Sequence, residues 1–180
     1  VSQFYDEKLF LDAFAENGKK YNIKDYDEII FSFHGLPERH VDKVYETSLC
    51  KDNDCEKGIN KLNKFCYKAT CYETAKQIAN RLKLKKSDYI VAFQSRLDNK
   101  WLRPFSDDII KKRAKKGDKK ILCFSPSFVA DCLETIVEIG DEYQEIFEEY
   151  GGKKVQLVES LNDNKLWVEC LHKMIIERTI

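Results

Sequence analysis

His34 closes the apolar run Ile29-Ile30-Phe31-Ser32-Phe33, and Gly35-Leu36-Pro37 follows it at once. A buried strand that ends this way presents an imidazole at its C-terminal edge, the edge where open α/β sheets bind ligands. An imidazole titrates near neutrality and can accept a proton at pH 7. Ser125-Pro126-Ser127-Phe128-Val129-Ala130-Asp131-Cys132-Leu133-Glu134-Thr135 repeats the pattern with a carboxylate. A lone histidine is more often a structural hydrogen-bonding group. Its place after a strand, with Glu134 after another, makes the pair a candidate site for proton and metal chemistry.

Glu134, Glu138 and Glu142 are spaced i, i+4, i+8. In a regular helix that spacing drifts about 40° per step, so the three carboxylates fall on one stripe. Like charges at this spacing cost about 0.2–0.5 kcal/mol per pair, so the stripe does not serve helix stability. A solvated acidic face is the plain reading, since Glu145, Glu148 and Glu149 follow on the same helix. A path for a divalent cation or for protons is the functional one, because oxygen ligands exchange metal without trapping it. Trp101 and Phe105 follow the second strand as candidate walls of a pocket for a flat apolar ligand. Equally, Trp101 packs its loop down.

Four of the seven cysteines lie in one polar segment, Cys50-x4-Cys55-x10-Cys66-x4-Cys71. An odd total does not suit a disulfide framework, and no export signal is visible. A polar loop has little core to order it, so a metal clip is the leading reading. The spacing differs from the C-x2-C of common zinc ribbons, and four thiolates suit zinc or an iron–sulfur cluster.

The elements that must carry these groups alternate. Helical spacing runs over 5–17, 72–84, 106–115, 130–150 and 162–178, with Ser106 as an expected N-cap. Short apolar strands run over 27–33, 88–94, 119–125 and 153–159. The 130–150 helix stops at Gly151-Gly152. This is the α/β class: a Rossmann-like, four-stranded parallel sheet buried by flanking helices. The loops bearing His34, Gln94-Ser95-Arg96 and Ser125-Pro126 are expected along one rim.

Lys+Arg and Asp+Glu balance at 31 each, which argues against nucleic acid as a partner. The 43% apolar content fits one soluble domain over 1–180, with a cysteine-rich insertion at about 44–71. No apolar run approaches the roughly 20 residues of a membrane span, and a cytoplasmic location is expected. The chain starts at Val1 without methionine, which we read as part of a longer protein.

Together these residues resemble ferrochelatase, the enzyme that inserts ferrous iron into a porphyrin. The resemblance is to the C-terminal half of that family and covers essentially the whole chain. It rests on Ser32-Phe33-His34-Gly35-Leu36-Pro37-Glu38-Arg39-His40, Cys71-Tyr72-Glu73-Thr74-Ala75, Phe93-Gln94-Ser95-Arg96, Trp101-Leu102-Arg103-Pro104, the Ser125–Thr135 segment and Glu159-Ser160-Leu161-Asn162-Asp163. It implies a chelatase-type fold with His34 as catalytic histidine and Glu134 as its carboxylate partner at the substrate iron. It also implies Glu138, Glu142 and Asp131 as an iron or proton path on a helix with a π-type widening. Trp101, Ser95, Gln94 and Phe33 would border the porphyrin, with Phe33 bulkier than the small residue usual there.

The resemblance raises a 2Fe–2S cluster above zinc for Cys50, Cys55, Cys66 and Cys71, in a structural or regulatory role. It implies protoporphyrin IX as substrate, no nucleotide, and the absent N-terminal half as the partner that completes the cleft. Peripheral membrane contact and a homodimer are both compatible with it. Two rival readings are a cobalt- or nickel-type chelatase and a stand-alone iron–sulfur or zinc module. The first would use a histidine-rich site, whereas this chain has only His34, His40 and His172. The second would leave His34 and Glu134 incidental.

Overall fold

The structure, a computed structural model, describes residues 3–179. Helix α1 (Lys8–Lys19) leads into strand β1 (Glu28–His34). A short helix α2 (Glu38–Val41) and the cysteine segment follow. Next come α3 (Tyr67–Arg81), β2 (Ile90–Gln94), α4 (Ser106–Lys116) and β3 (Lys120–Phe124). A one-turn helix α5 (Leu133–Ile136), a π turn (Glu138–Glu142) and α6 (Tyr143–Glu149) lead to β4 (Lys154–Leu157) and α7 (Lys165–Thr179).

The sheet is parallel throughout, in the order β2-β1-β3-β4. Parallel strands are buried on both faces, and β1 is buried at every position before His34. Side chains alternate across the sheet. Ile29, Phe31 and Phe33 join Val91, Phe93 and Leu122 in one core under α1, α3 and α7. Ile30 and Ala92 face the other way, into a second core with Ile110, Ile139 and Phe147 under α4 and α6. Ser32, His34 and Gln94 share the parity of this second face. The strand order reverses between β1 and β3, and such a switch point is where open sheets open a crevice. His34 ends one of these two strands, and the Ser125 loop leaves the other.

Apart from shifts of up to three residues at the ends of α1, β2 and β4, four elements differ from the sequence expectation. Helix α3 starts five residues early, at Tyr67, because Ala69 and Thr70 are buried and belong to its packed face. The expected 130–150 helix starts only at Leu133. Asn162 holds the chain before it extended: its N–H donates to Val129 O at 2.9 Å, and its Oδ1 accepts Asp131 N–H at 2.9 Å. The final helix accordingly starts at Lys165, where Asn164 Oδ1 accepts the N–H groups of Leu166 and Trp167. Ser106 is the first residue of α4 rather than its cap; its hydroxyl is buried against Ser32 at 2.7 Å.

Candidate active site at the carboxyl ends of the strands

His34 is pinned at both backbone groups. Its N–H donates to Ser127 Oγ at 2.9 Å, and its C=O accepts the Tyr67 hydroxyl at 2.8 Å. The next residue, Gly35, donates to Gln94 O at 2.8 Å. A Cβ at Gly35 would lie 2.8 Å from that oxygen and 3.2 Å from the Trp101 ring, so the approach requires glycine. His34 Nδ1 lies 2.5 Å from Gly35 O. A carbonyl only accepts, so Nδ1 carries the proton of the neutral ring and Nε2 is the free base. The half-buried ring sits between Trp101, at a centroid separation of 6.3 Å, and Phe128, at 5.9 Å.

Glu134 occupies the first turn of α5 on the same rim. Its own backbone N–H and the Cys132 thiol hold its carboxyl below the usual range, and nearby His34 adds to the effect. Glu138 opens the π turn, marked by the Glu142 N–H donating five residues back to Val137 O at 2.9 Å. The widening breaks the regular stripe expected of Glu134, Glu138 and Glu142. Glu138 turns inward and accepts from Ser95 N–H (2.7 Å), Ser95 Oγ (2.5 Å), Gln94 Nε2 (3.1 Å) and the Tyr143 hydroxyl (2.9 Å). Glu142 is exposed, though it lines the same small cleft as Glu138, Arg96 and Asp107. Asp131 is turned elsewhere: its carboxylate accepts Ser160 N–H at 3.2 Å and Asn162 Nδ2 at 2.8 Å, which latches two loops together.

The pocket residues divide. Trp101 is half-buried and zipped to the loop after His34, since Leu102 N–H donates to Leu36 O and Glu38 N–H to Lys100 O, both at 2.9 Å. Ser95 is half-exposed with a left-handed backbone, φ 58°. Phe33 backs a cavity of about 380 Å3 shared with Phe65, Tyr67 and Ser127. Gln94 is only 1% exposed and forms the buried floor of the small cleft that Glu138 and Glu142 also line. Sequence reasoning gave no role to Tyr67, Ser32 or Tyr143. Ser127 lay inside the recognised segment, but only the fold brings its hydroxyl to His34.

Cys50, Cys55 and Cys66 meet as buried thiols with all three sulfurs within 4.8 Å of one another. The separations are 3.8, 3.5 and 3.6 Å. Metal–sulfur bonds of about 2.3 Å at tetrahedral angles put sulfurs about 3.8 Å apart, so the triangle fits one four-coordinate ion. Hydrogen bonding with the Cys50 thiol pulls the pKa of Cys66 down from the ordinary thiol value. The Tyr45 hydroxyl lies 3.1 Å from Cys55 Sγ. Among the described residues Cys71 does not join this group. Its thiol is buried, faces the Tyr67 hydroxyl, and is pushed up by desolvation. Three of the four cysteines expected to hold a metal are thus brought together, and Cys71 stands apart.

A family model described as Ferrochelatase matches residues 1–179. The curated Ferrochelatase of Pseudomonas fluorescens (strain SBW25) is 42% identical over 178 residues, covering 97% of this chain and 52% of that protein. The Ferrochelatase of Legionella pneumophila (strain Corby) is 39% identical over 179 residues, covering 99% of this chain and 53% of that protein. The chain spans about half the length of the curated relatives it matches.

Proposed function

The chain belongs to the ferrochelatase family, and from that premise we propose that it is the C-terminal half of an enzyme that inserts ferrous iron into protoporphyrin IX. The observation that carries the reading is the placing of His34. Its free Nε2 stands at the switch point of the sheet, between Trp101 and Phe128, on the rim that also carries Glu134.

Metallation requires two pyrrole protons to leave as iron enters. Nε2 of His34 is a base placed to take one, and the Glu134 carboxylate is held ionised beside it to stabilise the imidazolium that results. Trp101 and Phe128 flank the ring and offer apolar surface to a flat macrocycle. Closing the cleft falls to the N-terminal half, which is the proposed partner of this chain. Glu142 is the open carboxylate of the acidic line and the residue to meet incoming iron. Glu138 is engaged with four donors and holds the turn. The proposed setting is the cytoplasm; among the described residues no helix is long and apolar enough to cross a membrane.

For the cysteine group we propose a structural thiolate metal centre. The family resemblance favours a 2Fe–2S cluster with Cys71 as fourth ligand, while the sulfur spacing favours a single zinc ion on Cys50, Cys55 and Cys66. Metal and acid-labile sulfide analysis of anaerobically purified protein separates the two.

The functional test is His34→Ala in the full-length protein. Iron insertion should fall to background while the unfolding temperature stays within a degree or two of wild type. Retained turnover would refute the assignment.

A further inference from the structure

Gln94 is the last residue of β2, pairs in register with His34, and is 1% exposed. Burying a primary amide is costly unless its hydrogen bonds are met. Here they are met by the elements that carry the reacting groups. Its backbone carbonyl accepts Gly35 N–H at 2.8 Å, one residue past His34. Its side-chain Nε2 donates to the backbone carbonyl of Glu134 at 2.6 Å and to Glu138 Oε2 at 3.1 Å. Its Oε1 accepts the Ser32 hydroxyl at 2.8 Å, and that hydroxyl lies 2.7 Å from Ser106 Oγ. Ser32 and Ser106 are both fully buried.

One residue therefore touches the backbone on both sides of the candidate site. The main chain of Gln94 fixes the turn that aims His34. Its amide fixes the turn that aims Glu134, and reaches the carboxylate that opens the π turn. We propose that Gln94 is the positioning residue that sets the spacing of His34 and Glu134, and that its contribution is to turnover rather than to porphyrin binding. This rests on the ferrochelatase reading for its consequence, though not for its geometry.

A methionine at this site keeps the length and roughly the volume of glutamine but cannot donate. In Gln94→Met the Glu134 carbonyl and the Glu138 carboxylate each lose one donor, while the strand pairing and the Gly35 bond are main-chain and persist. The backbone of 133–142 is released. Misplacement of a reacting group by about 1 Å costs on the order of a hundredfold in rate.

Two measurements test the proposal. Hydrogen–deuterium exchange on this 180-residue chain should show faster exchange across 133–142 in Gln94→Met, with the strands unchanged. In the full-length protein the same variant should lower kcat at least about tenfold and leave KM for porphyrin within twofold. Unchanged exchange, or a normal kcat, overturns the proposal. So does faster exchange over the whole chain with kcat per folded molecule preserved, which is a purely structural role. If the wild-type full-length protein inserts no iron while Gln94→Met still frees 133–142, the geometry stands and the ferrochelatase reading is what fails.

Discussion

His34 owes its place to bonds made by its neighbours more than by its own ring. Ser127, Tyr67 and Gln94 grip the main chain on either side of the imidazole. None of these three is next to it in sequence, so the histidine was legible as a candidate while its supports were not. At the opposite end of the sheet Asp27 does similar work. Its carboxylate accepts the N–H groups of Lys119 at 2.7 Å and Lys120 at 2.9 Å, and these bonds hold its carboxyl below the usual range. A depressed carboxyl stabilises the fold above its unfolded pKa, about 3.9. That stabilisation disappears as the pH falls through the lower, folded value. Asp27→Asn should therefore lose about 1 kcal/mol at neutral pH, less than a buried charged hydrogen bond contributes because the carboxylate is screened by solvent. In urea unfolding, the gap between variant and wild type should close as the pH drops below about 4. A gap that persists in acid would show that the side chain acts without its charge.

At the scale of elements, the π turn is present as the family resemblance implied, though periodicity alone did not show it. The i, i+4, i+8 spacing of Glu134, Glu138 and Glu142 reads as a regular helix because one extra residue in a turn leaves no mark on apolar periodicity. The extra residue is stabilised by Gln94 at the end of β2, by Ser95 just past it, and by Tyr143 at the start of α6. The Tyr143 phenol is buried, and desolvation together with Glu138 drives its pKa upward, so it stays protonated and donating. Tyr143→Phe should lower stability by about 1–2 kcal/mol, the cost of removing one donor from a partly buried carboxylate. Circular dichroism melts read the loss, and exchange should rise first at 138–143. An unchanged melt would mean that the remaining three donors suffice. Helix α3 teaches the same lesson for the cysteines. Cys66 is its N-cap and Cys71 lies five residues on, which turns the second sulfur about 140° away from the first. Clustering in one polar segment suggested four ligands; the helix that starts after Cys66 turns the last one away. The strands, by contrast, were readable throughout, because buried parallel strands are short apolar runs bounded by turn residues.

For the whole molecule, the cysteine segment is the part with least core of its own, with Leu62 72% and Phe65 56% exposed. Metal removal should act there. Chelation, or Cys66→Ser, should open 45–66 to protease while the sheet retains its circular dichroism, because the segment lends only Cys50, Cys55 and Cys66 to the buried residues of the first core and nothing to the second. Tyr67 follows Cys66 directly and holds the His34 carbonyl, so the same treatment should reduce turnover in the full-length protein. Protection of 45–66 that survives chelation would place its order in the thiols and side chains alone. The sheet itself ends in two open margins, β2 and β4. Along β2, Phe93 N–H donates to Pro104 O at 2.8 Å, so the chain that returns through Trp101 covers part of the bare ladder. Along β4 only four residues are paired and the first is an exposed lysine. A half-length chain with long naked strand edges would stack edge to edge into aggregates. This one offers a neighbour almost no template for pairing, so it should stay dispersed at the concentrations that the tests above require.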